Sequence, residues 1–331
     1  MKKTCTLWLL SALALAVAWI LPVAALAQDV PEPASLALHA AAEYRQQARY
    51  PGNSKLLPAG VEDPVRAKLR THPTTRRGSG DEVTSLTVYQ SKLSYEAGAT
   101  VEIFAVPAGD EVLAVTGEVT SGSGARVATL HFFDDGVDAD QRAGDGIFTA
   151  SFTLEESLRP ELAEVHMATV RASFNNGETR AGGGGYVLSN PWSELTGRYR
   201  DRVEDGNVVV SAEVEVTRTG RFHLMGTLHT MRGEPIGTAQ TAQVLEVGKH
   251  WIDLSFYGLM FHDRKVIGPY RLGSLALRTT GGMPNALSDL VENAHVIPAI
   301  PLARLTSRPA DEPGLLRAAE VLEAAVARGD D

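Results

Sequence analysis

The chain has 331 residues, 44% hydrophobic and 21% charged, with a single cysteine and a formal net charge of −9. That length, less a leader, holds two domains of ordinary size. The acidic balance disfavours nucleic acid and anionic membrane surfaces as partners, and the lone Cys5 excludes an internal disulfide.

Met1, Lys2 and Lys3 form a positive start, and Leu7 to Leu26 is an apolar run broken only by small residues and Pro22. Ala25-Leu26-Ala27 then gives the small-x-small pattern that a signal peptidase reads, so residues 1–27 are expected to be a signal peptide cleaved before Gln28. A retained anchor is disfavoured, because Pro22 and the cleavage pattern interrupt the run near the minimum spanning length. Cleavage removes Cys5, leaves no membrane span and, with Lys2 and Lys3 gone, takes the charge to −11. The mature chain is expected in the periplasm or outside the cell, held by its core without disulfides.

Residues 28–82 read as a helical and extended N-terminal region with a linker. Ala34 to Arg49 are good helix formers stopped by Tyr50-Pro51-Gly52-Asn53. Asp63-Pro64 offers an N-cap with proline at the first helical position, predicting a short helix to Leu69. Thr71 to Gly80, without apolar periodicity, reads as exposed linker. From Val83 the texture becomes short alternating runs. Strands are predicted near residues 86–89, 100–106, 112–119, 126–133, 147–154, 165–175 and 186–188, which fits an immunoglobulin-like β-sandwich over 83–190. The run Gly182 to Gly185 reads as a flexible turn, since no Lys-Ser/Thr helix start follows to make it a phosphate cradle. Ser189-Asn190-Pro191-Trp192 marks a hinge. A second β-sandwich is predicted over 191–306, with strands near 208–216, 221–229, 236–244, 250–256, 270–277 and 294–302. Residues 307–331 return to helical composition, with Leu315, Ala319, Leu322 and Val326 on one face and Gly329 as a stop. A lone helix of that length is marginal in water, so docking on the protein's own surface is expected. The fold class is all-β: two tandem sandwiches with short helical extensions.

The densest polar constellation is the stretch from Asp134 to Gly146, between an apolar strand ending at Phe133 and another opening at Ile147. Its carboxylates, Asp134, Asp135, Asp138, Asp140 and Asp145, repel one another unless a cation or backbone donors neutralise them. Ca²⁺, a hard oxygen-seeking ion, is the candidate cofactor and these five the candidate metal ligands. The spacing is not that of an EF-hand, which needs Gly and Glu where Ala139 and Asp145 stand. The alternative is a metal-free loop in which the aspartates cap backbone amides as Asx-turns.

The string Phe133-Asp134-Asp135-Gly136, Asp138, Gly144-Asp145-Gly146-Ile147-Phe148 resembles a DDG…D…GDG signature of immunoglobulin-like modules in secreted bacterial proteins, including the choice-of-anchor X group and a related periplasmic family of unknown function. Gly233-Glu234-Pro235-Ile236, Gly248-Lys249-His250-Trp251, Phe256-Tyr257-Gly258 and Gly268-Pro269-Tyr270 are similar to the sandwich that accompanies it. Phe148 stands where tyrosine is usual. The resemblance spans about Val83 to Leu305; it implies a β-sandwich surface or periplasmic protein and transfers no catalytic residue.

Histidines give no catalytic pattern. His223 and His229 share a strand face but lie about 20 Å apart on an extended strand, too far for one metal. His131 alternates with Leu130 and Phe132, as a surface residue would. His262-Asp263 lacks a nucleophile motif, and neither Gly-x-Ser-x-Gly nor His-Glu-x-x-His occurs. Trp251 and Tyr257 share parity opposite Ile252, Leu254 and Phe256, which makes them candidate ligand-binding aromatics for sugar stacking; the alternative is packing inside the protein. The expectation is an exported non-enzymatic structural or interaction protein with a protein or glycan partner; the alternative is a glycan-binding or glycan-processing protein that uses the aromatic face of Trp251 and Tyr257.

Overall fold

The computed structural model describes residues 33–66, 74–77 and 83–328. The expected signal peptide lies outside these residues. Helix α1 (Pro33–Ala48) ends where Tyr50-Pro51-Gly52-Asn53 predicted, and a short strand β1 (Ser54–Leu56) follows. Residues 64–66 form a turn and not the helix expected there, whose remainder, 67–69, lies outside the described residues. Asp63 does accept the Val65 amide at 2.9 Å as an N-cap would, but its carboxylate is also drawn onto a sheet, as described below.

The first set of strands is β2 (Thr74–Arg77), β3 (Val83–Gln90), β4 (Ser94–Glu96), β5 (Thr100–Ala108), β6 (Val112–Ser121), β7 (Arg126–His131), β8 (Phe148–Thr153), β9 (Ala163–Phe174) and β10 (Thr179–Ser189). They make a sheet ordered β2-β3-β5-β8 and a second ordered β4-β10-β9-β6-β7. Alternate residues of β5 (Val101, Ile103, Ala105) and β9 (Ala168, Val170, Ala172) point inward and close one hydrophobic core with Leu86, Leu130, Phe174 and Leu188.

Two expectations fail here. Residues 74–77, expected as linker, pair antiparallel with β3 from Thr74↔Leu86 to Arg77↔Val83; Thr-Thr-Arg-Arg is a Gly- and Pro-free island within the linker composition. The glycine run is not a turn but the middle of β10. A Cβ on Gly182 would sit 2.9 Å from a Val88 methyl, and one on Gly184 2.8 Å from Gln90 Oε1. Strand β10 passes too close to β3 for side chains, which is a packing reason for glycine.

The second set is β11 (Ser193–Glu204), β12 (Asn207–Val216), β13 (Gly220–Thr230), β14 (Pro235–Leu245), β15 (Gly248–Phe256), helix α2 (Leu259–Arg264), β16 (Tyr270–Thr280), β17 (Ala286–Leu287) and β18 (Val291–Ile297). A three-stranded sheet, β11-β12-β15, faces a six-stranded one, β1-β14-β13-β16-β17 with β18 also on β16. Val208, Val210, Val214, Ile252, Leu254 and Phe256 meet Phe222, Leu224, Leu228, Leu272 and Leu277 in a second core, which also takes in Tyr50 and Phe261. Strand β11 escaped prediction because a bulge between Leu195 and Tyr199 breaks its alternation, with Gly197 at φ +79°.

Helix α3 (Pro313–Arg328) docks on α1 and not on a sandwich. Ala41, Ala48 and Ala319 are buried, and Arg45 donates to both Glu323 carboxylate oxygens at 2.8 and 2.7 Å. Among the described residues no helix is long and apolar enough to cross a membrane.

Candidate functional site

The acidic loop is the crossover from β7 to β8, carrying the chain from one sheet of the first sandwich to the other. Its neck is closed by a pair of backbone hydrogen bonds between Phe133 and Thr149, at 3.0 and 2.8 Å. Above that neck Asp134 accepts the amides of Gly144 (2.7 Å), Asp145 (3.1 Å) and Gly146 (3.0 Å). Asp140, which is buried, accepts those of Gly136 (2.6 Å) and Arg142 (3.2 Å). Asp135 caps Val137, and Asp145 caps Ile147. The loop needs glycine at position 136: φ is +72°, and a Cβ would lie 2.9 Å from the Ala143 nitrogen.

Of the five candidate ligands, the fold brings together three. Asp134, Asp140 and Asp145 each present an oxygen within 4.8 Å of the others, a group that can hold a metal ion. Asp135 and Asp138 are exposed and stand outside that group, Asp138 in left-handed backbone at φ +56°. Each carboxylate oxygen has two lone-pair directions, so a carboxylate that accepts an amide retains capacity for a cation. Asp145 Oδ2 accepts none of the loop's amides. The donor set, carboxylates alone, suits a hard cation such as Ca²⁺, with other oxygens completing its usual six to eight.

The aromatics of the second sandwich are engaged by the protein itself. Trp251, half-buried on the outer face of β15, carries the Arg200 guanidinium 3.8 Å above its ring centroid, with Arg198 at 5.9 Å. Tyr257 packs against the core and its hydroxyl donates to the Arg308 carbonyl at 2.9 Å. Ile252, Leu254 and Phe256 are buried, as their parity predicted.

Two of the histidines singled out by sequence, His229 and His262, are committed to partners within the fold. His131 is exposed. His262 binds the Leu305 carbonyl while its neighbour Asp263 turns to Arg49 and Tyr50. His229 meets Asp63 at 3.0 Å, and Thr227 donates to the same carboxylate at 2.5 Å, all three being buried. Burial alone would raise the Asp63 pKa, but these bonds and the Val65 amide outweigh it and hold the group well below the carboxylate range. No sequence signal marks this cluster, because Thr227 and His229 lie 164 and 166 positions from Asp63.

The two cores meet at a bonded junction. Ser189 Oγ lies 2.7 Å from Ser94 Oγ and accepts the Leu287 amide at 3.2 Å, while the Trp192 amide donates to Thr279 at 3.0 Å. The Trp192 indole donates to the Glu161 carbonyl and lies under Arg218, whose guanidinium is 4.2 Å from the ring centroid and 2.9 Å from Glu161. Beside this junction is a cleft of about 430 Å³ between the sandwiches.

No curated protein sequence is a significant match. Among solved structures, the chain is similar to a DUF4785 family protein from Legionella pneumophila at 20% identity and a TM-score of 0.46, over 64% of this chain and 58% of that one. The chain thus spans little more than half the length of that relative. A tetra-tandem repeat from the extending region of a large adhesion protein aligns at 14% identity and a TM-score of 0.26, covering 66% of this chain and 48% of that one. A bacterial ice-binding adhesin aligns at 13% and 0.22, covering 70% and 66%. The sequence match to a family falls on the second sandwich and not on the acidic loop: residues 194–286 fit the C-terminal domain of DUF4785, a domain of unknown function.

Proposed function

We propose that this chain is an exported, non-enzymatic structural or interaction protein, built as two β-sandwich modules joined in a set relation, with an acidic loop that braces the first and accepts Ca²⁺. One observation carries the reading: the side chains that would otherwise suggest chemistry hold the fold together. Asp134 and Asp140 bind backbone amides, Asp63 binds His229 and Thr227, and His295 binds Asp201 at 2.7 Å. In this reading Asp134, Asp140 and Asp145 would hold the ion, which supplies charge neutralisation alone. A glycan partner draws less support, since Arg200 lies over Trp251 and the Tyr257 hydroxyl is bonded.

The test is to isolate the native protein from its host and determine its mass, bound metal and co-purifying molecules. The expected result is an N-terminus at Gln28, calcium bound, and a protein partner. An exported protein with Met1 intact would overturn the leader, and a hydrolytic activity abolished by His229→Ala without loss of fold would overturn the non-enzymatic reading.

A further inference from the structure

The cleft between the sandwiches has an uneven charge balance. Four charged side chains line it: Lys92, Arg278, Asp289 and Glu292. Lys92 pairs with Asp289 at 3.1 Å, and Glu292 pairs with Arg66 at 2.7 Å. Arg278 alone of the four makes no ion pair or hydrogen bond among the described residues. It lies on the outer, non-core face of β16, half-buried, opposite His223 of β13. A half-buried guanidinium has lost part of its hydration and has five donors in a rigid fork that suits a carboxylate. Around it stand apolar walls from both sandwiches: Leu93 from the first, Leu287 and the exposed Leu290 from the second. The volume is within the range of small-molecule sites, and such sites typically combine an apolar lining with a few placed polar groups.

We propose that this cleft binds a small organic carboxylate with an apolar body, its head on Arg278 and its body against Leu93, Leu287 and Leu290. The junction contacts, Ser94 to Ser189 and Leu287 to Ser189, hold the two walls at fixed separation, so the site is formed before ligand arrives. The match of residues 194–286 to a domain of unknown function assigns nothing to this cleft.

Octanoate is the probe, titrated into the purified full chain by calorimetry beside acetate and inorganic phosphate. The expected result is saturable one-to-one octanoate binding, weaker acetate and phosphate binding, and at least a tenfold loss of octanoate affinity in Arg278→Gln with the melting temperature retained. Leu290→Asp, at the exposed rim, sets a carboxylate in the cleft as a competitor for Arg278 and is expected to lose affinity as well; it serves as the test if Arg278→Gln fails to fold. The His223 ring, whose pKa is lowered by burial and by Arg278, should titrate at higher pH when octanoate neutralises that arginine. Absence of saturable octanoate binding, unchanged affinity in both variants, or phosphate binding as tight as octanoate would each overturn the proposal.

Discussion

Two aspartates, Asp134 and Asp63, do opposite kinds of work. Asp134 sits at the surface of the first sandwich and accepts three amides 10 to 12 residues further along the chain. Asp63 is buried on the second sandwich and binds side chains 164 and 166 residues away. The first fixes a loop on its own, whereas the second pins the segment after β1 to the far face of the six-stranded sheet. Local capping leaves a carboxylate with water at its back; tertiary capping strips the water and makes the partners obligatory.

The largest expected effect follows from that burial. Asp63→Ala leaves Thr227 and His229 buried without their acceptor and is expected to cost about 3 kcal/mol in urea unfolding. Next, if the acidic loop holds Ca²⁺, ion at a hundredfold over its dissociation constant adds about 2.7 kcal/mol. A chelator should then lower the melting temperature, and Asp134→Asn with Asp145→Asn should abolish that shift. A calcium-dependent shift that survives the pair would remove these residues from the ligand set. Third, Asp134→Ala without metal should cost about 1–2 kcal/mol, in the range of a lost helix cap, and should leave the second sandwich untouched.

The smallest effect is a pH dependence. His166 is buried in the first core with Nδ1 3.1 Å from the Tyr186 hydroxyl and Nε2 3.8 Å from Glu164 Oε2, beyond hydrogen-bond distance. Burial lowers its pKa below the ordinary 6.5, and Glu164 only partly opposes this. The unfolded chain therefore takes up this proton first, so the first sandwich should lose stability as pH falls below about 6.5. The Asp63 pKa is lowered as well, but for a carboxylate: its contribution is complete above about 3.8 and fades only as pH falls further. Unfolding at pH 5 and 7, followed by a probe in the first sandwich, should show it weakened and the Asp63 contact intact; His166→Gln should remove the first sandwich's loss, while His223, also lowered by burial, acts in the same direction on the second.

What the sequence made legible follows the same division. Period-two alternation located most of the long strands, though not β11 or the greater part of β10, because inward residues such as Val101, Ile103 and Ala105 report burial directly. The acidic loop was legible as a constellation because its partners are neighbours, though not which three of five aspartates converge. Strand β11 was hidden by its bulge and by the charged outer face of Arg198, Arg200 and Arg202. The glycine run misled because its cause, the nearness of β3, lies about 95 residues away. The sequence marks Asp63 as a helix cap; its local bond to Val65 is real, but its role is set by partners that no spacing rule connects.

Hydrogen exchange in Asp63→Asn and Asp134→Asn is the most direct test that these groups brace the fold. Asp63→Asn is expected to speed exchange at Val65 and the adjoining segment while leaving residues 134–147 protected, and Asp134→Asn to speed exchange at Gly144, Asp145 and Gly146 while leaving Val65 protected. Unchanged protection at the site of each substitution would contradict that bracing role.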